Sequence, residues 1–205
     1  MRKKAIIILS IIVAIPLLYI IYKSVKFQNI YDEIYYDSRG ATGEIFSRRS
    51  TLGNIKGISR SKTSWVHEGD EVIVTESYET KYLPSTMHSL NITNDDVDKT
   101  LFIYNSYEIN YFVTICLKNN YDPKQKLLKK GIYFIDSRQE GIIDNPKKVK
   151  TLIDKYYISK EQLDYWYELG MTKTLLEDWC SVYPSRFSPE KLGHVKIETQ
   201  WADYK

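Results

Sequence analysis

The chain has 205 residues, enough for one well-packed domain, and its charges are almost balanced, with 29 basic and 26 acidic side chains. Residues 1–26 contain five basic and no acidic residues, whereas the rest of the chain contains 24 basic and 26 acidic ones. The isoelectric point of about 8.6 therefore reflects the N-terminus. Nucleic-acid-binding domains carry a basic patch or stripe, so we expect no nucleic-acid partner.

An apolar run, residues 5–22, dominates the N-terminus and is interrupted only by Ser10 and Pro16. About 18 residues at ~1.5 Å per residue cover most of a ~30 Å hydrocarbon core. No small-residue cleavage site follows the run. We therefore predict that residues 1–26 form a cytoplasmic tip and an uncleaved transmembrane signal-anchor, rather than a cleaved signal peptide or a buried helix.

The basic residues around this run predict its orientation. Arg2, Lys3 and Lys4 precede it, and only Lys23 and Lys26 follow it. The positive-inside rule then places the N-terminus in the cytoplasm. Residues 27–205 would form one extracellular domain of a single-pass protein of the cell membrane.

The first half of this domain predicts one helix and then a series of strands. Apolar residues at helical spacing between Ile30 and Tyr35 indicate a helix that ends at Gly40. The predicted strands are Thr63–His67, Val72–Tyr82, Thr100–Tyr104, Glu108–Leu117 and Gly131–Asp136. The polar residues between Leu83 and Asp98 predict a loop.

The pattern becomes helical after Pro146. Three amphipathic helices are predicted: one over residues 147–157, one capped by Ser159 and stopped by Gly170, and one capped by Thr172. Residues 194–201 alternate again and predict a final strand. This order predicts an α+β fold, with a curved, largely antiparallel sheet and C-terminal helices on one of its faces.

Residues that could support catalysis or bind a metal form no motif. His67, His88 and His194 lie outside any zinc-binding or nucleophile pattern, and no glycine-rich phosphate-binding motif occurs. Cys116 and Cys180 have no metal-ligand spacing, and both fit buried apolar positions better than a disulfide. We therefore expect no enzyme activity, no cofactor and no metal.

The C-terminal third contains the most distinctive sequence, residues 176–188 followed by 192–197. Its best markers are Trp179, the stretch Ser185–Ser188 and Gly193. Together with the basic N-terminal segment and residues 30–35, this sequence resembles the TipC family over nearly the whole chain. The resemblance implies a membrane-anchored immunity protein of Gram-positive type VII secretion. Such a protein binds and neutralises an exported LXG toxin of the TelC kind, which attacks the cell-wall precursor lipid II outside the membrane.

An inhibitor of this kind needs a complementary surface, and a sheet covered by helices on one face leaves its other face free. Tyrosine beside charge is typical of recognition surfaces. The predicted partner-binding residues are Glu76, Tyr78, Glu79, Lys81, Lys196 and Glu198. Alternate strand residues face opposite ways, so the partner meets either Glu76 and Tyr78 or Glu79 and Lys81.

Two other functions remain open on the sequence alone. The chain fits an exported accessory protein of the envelope or of a secretion complex, with no toxin partner. It also fits a membrane-tethered hydrolase with an unrecognised site. A toxin gene directly upstream would favour immunity. We expect a monomer.

Overall fold

The computed structural model contains one eight-stranded sheet with helices packed against one of its faces. The structure describes residues 10–18, 21–22, 25, 27–38, 52, 55, 58–68, 71–80, 89–95, 100–138 and 141–204. The α+β class and the largely antiparallel, curved sheet are confirmed.

Seven strands lie in the sheet in chain order, and each pairs antiparallel with the next. They are β1 (Ile58–Glu68), β2 (Glu71–Thr80), β3 (Ser89–Asp95), β4 (Thr100–Asn110), β5 (Val113–Asp122), β6 (Leu127–Asp136) and β7 (Ile142–Ile143). The last strand, β8 (Lys196–Thr199), returns from the C-terminal segment and pairs parallel with the first half of β6.

Side chains cap the first turns of two of the helices. Helix α1 is Ile30–Ser38. Helix α2 (Pro146–Lys155) begins after Asn145, whose side chain accepts two backbone N–H groups, and α3 (Lys160–Tyr167) begins after Ser159, whose side chain accepts one. The chain then continues through a π-helix, Glu168–Leu176, into α4 (Glu177–Val182).

The prediction that Gly170 stops a helix was wrong. Gly170 lies buried inside the π-helix. A Cβ atom there would lie 2.4 Å from Nδ2 of Asn105 on β4. The glycine therefore allows the helical segment to approach the sheet closely, and contact with the sheet outweighs its weak helix propensity.

The predicted strand boundaries around β3 and β4 were also wrong. Residues 89–95 form β3, although the polar sequence predicted a loop. β4 runs through Asn105 and Ser106, and the chain reverses at Tyr111 and Phe112 instead. Asn105 fits inside the strand because its amide donates to the Tyr107 hydroxyl over 2.9 Å, and also to a helix carbonyl.

The predicted location in the cell membrane, with an extracellular domain, was wrong. Among the residues described, no helix is both long and apolar enough to cross a bilayer. From the predicted anchor, the described residues 10–18 are helical and exposed.

One face of the sheet forms the core together with the helices. Alternate residues of β4, β5 and β6 supply the buried side chains Leu101, Ile103, Tyr107, Ile115, Leu117, Tyr121, Leu128, Ile132 and Phe134. The Trp166 ring of α3 stacks on the Tyr107 ring with centroids 4.8 Å apart, and Tyr156 lies 6.5 Å from Phe134. The spacing of the third predicted helix places Trp179 and Val182 on one apolar face that should pack on the sheet; Trp179 is fully buried, but Val182 remains 40% exposed.

A buried carboxylate fixes α1 to this face. Asp32 is fully buried and accepts hydrogen bonds from the Tyr121 hydroxyl over 2.6 Å and from Lys126 Nζ over 2.8 and 2.9 Å. Asn29 donates to Tyr121 over 2.8 Å and to the His194 carbonyl over 2.9 Å. The network thus joins α1 to β5, to the β5–β6 turn and to the segment that leads into β8.

The turn residue Lys126 adopts a positive φ of 52°. A left-handed conformation costs an L-residue other than glycine roughly 1–2 kcal/mol. The Lys126 ammonium group compensates the buried Asp32 charge. This ion pair holds the turn in its left-handed conformation.

Replacing Lys126 with methionine leaves the buried Asp32 carboxylate without its cation. We expect Lys126→Met to lower the free energy of unfolding by about 3–5 kcal/mol. The control is Lys124→Met in the same turn, where the side chain is exposed and the change should stay within about 0.5 kcal/mol. Denaturant titration followed by circular dichroism measures both variants. If Lys126→Met unfolds at the same denaturant concentration as the wild type, the Asp32–Lys126 pair does not stabilise the fold.

Candidate functional site

The sheet face opposite the helices, called the open face below, carries partly or fully exposed side chains towards its two ends, whereas the row formed by Ser106, Cys116 and Tyr133 is buried. Strand register arranges its residues in four cross-strand rows. The rows are Phe102, Asn120, Lys129 and Glu198; Tyr104, Lys118 and Gly131; Ser106, Cys116 and Tyr133; and Glu108, Thr114, Ile135 and Ile142.

Tyrosine rings and a lysine form the centre of the open face. A Cβ atom at Gly131 would lie 2.9 Å from Cε of Lys118, so the glycine leaves room for the lysine stem. Lys118 Nζ lies 5.8 Å from the centroid of the Tyr133 ring, and the Tyr104 and Tyr133 rings are 6.5 Å apart. Tyr133 is only 9% exposed, so Tyr104 and Lys118, which are partly exposed, supply the ring and charge that a partner could contact here.

Cys116 lies in the row that ends at Tyr133, and it has no features of a reactive thiol. It is a free cysteine that is 1% exposed, and burial raises its pKa to about 11. Because the thiolate is the nucleophile, this thiol is inert near neutral pH. Within the described ranges, no three His, Cys, Asp or Glu side chains group closely enough to hold a metal ion.

The end of the open face at β8 is charged. Lys196 Nζ lies 2.6 Å from Oε1 of Glu198, and Glu198 pairs across the strands with Lys129. The hydrogen bond from Lys196, followed by the charges of Lys196 and Lys129, lowers the pKa of Glu198. This end therefore presents alternating fixed charges at neutral pH.

The opposite end of the open face is aromatic and apolar. The β4–β5 hairpin tip exposes 91% of Tyr111 and 43% of Phe112, and their rings meet edge to face at 5.0 Å. Ile135 and Ile142 are also exposed nearby. Neighbouring apolar side chains that are exposed together are typical of binding sites.

An arginine borders the aromatic tip. The Arg138 guanidinium lies 5.2 Å from the Phe112 ring, and Asp136 holds it through bonds of 2.6 and 2.9 Å. Hydrogen bonds from the Arg138 side chain and backbone lower the pKa of Asp136 to about 2, so the pair stays charged. Tyrosine, tryptophan and arginine dominate the binding energy of many interfaces.

The predicted partner-binding residues fall at two distant places in the sheet. Lys196 and Glu198 lie on β8 beside Lys129. Glu76, Tyr78 and Glu79 lie on β2, and Lys81 is outside the described residues. Strands β3 to β6 separate β2 from β8, a distance of about 24 Å along the sheet. The structure therefore does not bring the two groups together.

Strand register separates the β2 residues by face. Tyr78 pairs with Ile92, which pairs with Ile103, and both isoleucines are buried in the core. Glu79 pairs with Asn91, which pairs with Tyr104 of the open face. Glu79 therefore occupies an open-face position, whereas Tyr78, and Glu76 by alternation, occupy positions on the covered face.

The aromatic tip was not expected from the sequence, because Tyr111 and Phe112 lie within the predicted strand Glu108–Leu117. The available signal was Asn110, which directly precedes them. Its side chain accepts the backbone N–H groups of Phe112 over 2.9 Å and of Val113 over 3.0 Å. Asparagine commonly starts turns in this way.

Comparisons with known proteins agree with this fold. The sequence model of the TipC immunity protein-like family matches residues 2–200. The structure is similar to that of TipC2 from Streptococcus intermedius B196, with a TM-score of 0.74 and 22% sequence identity. This similarity covers 86% of the present chain and 98% of the other, and at this identity it establishes the fold alone. No curated protein matches the chain.

The burial of Cys116 predicts its reactivity. In the folded protein at pH 8, Cys116 should react with iodoacetamide far more slowly than the half-buried Cys180, because it is less accessible and its pKa is raised to about 11. Peptide mass spectrometry measures both rates in one sample. In a chemical denaturant the two should react alike. Labelling of Cys116 at the denatured rate in the native protein would contradict the buried position.

Proposed function

We propose that this chain, which belongs to the TipC immunity protein-like family, is an immunity protein that binds and neutralises an antibacterial toxin of type VII secretion. The proposed partner is an LXG toxin of the TelC kind, which attacks lipid II. The immunity family favours an inhibitor that acts by binding rather than by catalysis.

The observation that supports binding through the sheet is its exposed open face. The helices bury one face, while the other presents an aromatic end and a charged end, with the partly exposed Tyr104 and Lys118 between them. A sheet fixed by long ladders loses little conformational entropy on binding, which favours tight association. We propose that the toxin docks on this face.

The two ends of the open face have different proposed roles. Tyr111 and Phe112 project an apolar surface that a pocket on the toxin can bury, so they supply affinity. Lys129, Lys196 and Glu198 present charges that complement the toxin and fix its orientation. Glu79 occupies an open-face position on β2, and we include it in the proposed docking surface.

This mode of binding explains inhibition without catalysis. A toxin that acts on lipid II must expose its active site to a large substrate. A rigid protein docked over or beside that site blocks the access of the substrate. We propose that this exclusion is the basis of protection.

The aromatic tip offers a matched test of the docking face. Tyr111→Ala should weaken toxin binding more than tenfold, about 1.4 kcal/mol or more, because a hot-spot aromatic is lost. The control is Tyr157→Ala, since Tyr157 follows α2 and is 94% exposed, compared with 91% for Tyr111. Calorimetry with the purified toxin measures both affinities, and survival on co-expression measures protection.

Charge reversals extend the test along the face. Glu79→Lys and Lys129→Glu should each weaken toxin binding, whereas Glu161→Lys on α3 should leave it unchanged. Melting temperatures must stay within a few degrees of wild type. If only the Tyr157 and Glu161 changes reduce binding, the toxin docks on the helical side and the proposed site is wrong. If no toxin binds the wild-type chain, the immunity function itself fails.

A further inference from the structure

The outer edge of β8 carries backbone groups that are available for pairing. The N–H groups of Lys196 and Gln200 donate to carbonyls of Lys126 and Lys130 over 2.8 and 3.0 Å. Alternate residues of a strand direct their backbone groups to opposite sides, so Ile197 and Thr199 direct theirs away from β6. The Thr199 carbonyl accepts the N–H of Ala202 over 3.3 Å, which leaves the Thr199 N–H and both backbone groups of Ile197 for pairing. Among the described residues, β8 pairs with β6 alone.

The sequence of this edge is complementary to itself. Lys196, Ile197 and Glu198 place opposite charges symmetrically around an apolar residue. When two copies of β8 pair antiparallel with Ile197 opposite Ile197, each Lys196 lies opposite the Glu198 of the other copy. Oppositely charged residues in direct register stabilise a strand pair, and like charges destabilise it.

From these observations we propose that β8 is a self-association edge at which two copies of this chain pair antiparallel about a twofold axis at Ile197. Ile197 supplies its outward-directed N–H and carbonyl to this pairing, and Thr199 supplies its N–H. Ile197 is 40% exposed in the single chain, and pairing covers it with its symmetry mate. The interface is isologous, because each copy uses the same patch.

Pairing also extends the charge pattern of the open face. In one chain Lys129 lies beside Glu198, which contacts Lys196 over 2.6 Å. In the pair, the Lys196 of the second copy lies on the other side of Glu198, so that each carboxylate lies between basic groups. A twofold axis perpendicular to the sheet keeps both open faces on the same side.

This inference differs from the expectation of a monomer, and it does not depend on the proposed toxin. A strand of four residues buries little surface, so the association is weak and depends on concentration. Exposed edges of this kind are sites at which strands from other chains add.

Cysteine crosslinking tests the twofold axis directly. The two residues at position 197 should lie about 5.5 Å apart between Cα atoms, within the range of a disulfide. At position 199 the same pairing places the two copies about 13 Å apart, beyond that range. In the full chain with Cys180→Ser, Ile197→Cys should form a disulfide-linked dimer on mild oxidation, and Thr199→Cys should not.

Charge exchange tests the complementarity. Lys196→Glu and Glu198→Lys are each combined with Ile197→Cys. Each should lower the crosslinked fraction at least about fivefold, because like charges then face each other across the strand pair. The double exchange restores opposite charges and should restore crosslinking. Circular dichroism of each variant should match the wild type.

Three outcomes overturn the proposal. Equal crosslinking at positions 197 and 199 would indicate random collision. If the single charge exchanges leave the crosslinked fraction at position 197 unchanged, Lys196 and Glu198 do not pair between the two copies. Absence of a dimer at 197, with loss of toxin binding in Ile197→Pro, would assign the edge to a strand of the toxin. Failure of the immunity function leaves the crosslinking result unchanged, so the two proposals are tested separately.

Discussion

The position of the first helix relative to the sheet depends on the buried carboxylate of Asp32. Its bonds to Tyr121 and Lys126 fix α1 to β5 and to the β5–β6 turn, and Asn29 extends the network to the His194 carbonyl that precedes β8. A buried charge is costly unless it is paired, so these partners must come together when the chain folds. The network therefore links the first helix, the middle of the sheet and its last strand.

Packing the helices on one face leaves the other available. Gly170 allows the π-helix to approach β4, and Trp179 and Trp201 fill the space between helices and sheet. Most of the large buried side chains lie on that side, so substitutions at exposed positions of the open face should have little effect on the core. This division suits an immunity protein, because the binding surface can vary to match a toxin while the covered face preserves the fold.

Sequence patterns predicted the fold class better than the site. Pro146 and Ser159 marked helix starts, and the spacing around Trp179 marked a buried face, because these signals are local. Alternation also distinguishes the two faces of a strand, but strand order is not local. Strand order places Glu79 and Glu198 far apart in one sheet. Only the pairing of Tyr78 with Ile92 shows that Tyr78 occupies a covered-face position. The apolar run 5–22 predicted a membrane helix that the described residues do not contain.

Site-specific photo-crosslinking to the toxin tests most directly the claim that the open face is the binding surface. A photoreactive amino acid replaces either Lys129 on β6 or Lys173 on the π-helix, two exposed lysines on opposite faces of the sheet. The probe at position 129 should form a covalent adduct with the toxin, and the probe at 173 should not. An adduct at 173 without one at 129 would show that the toxin docks on the helical side and would contradict the account.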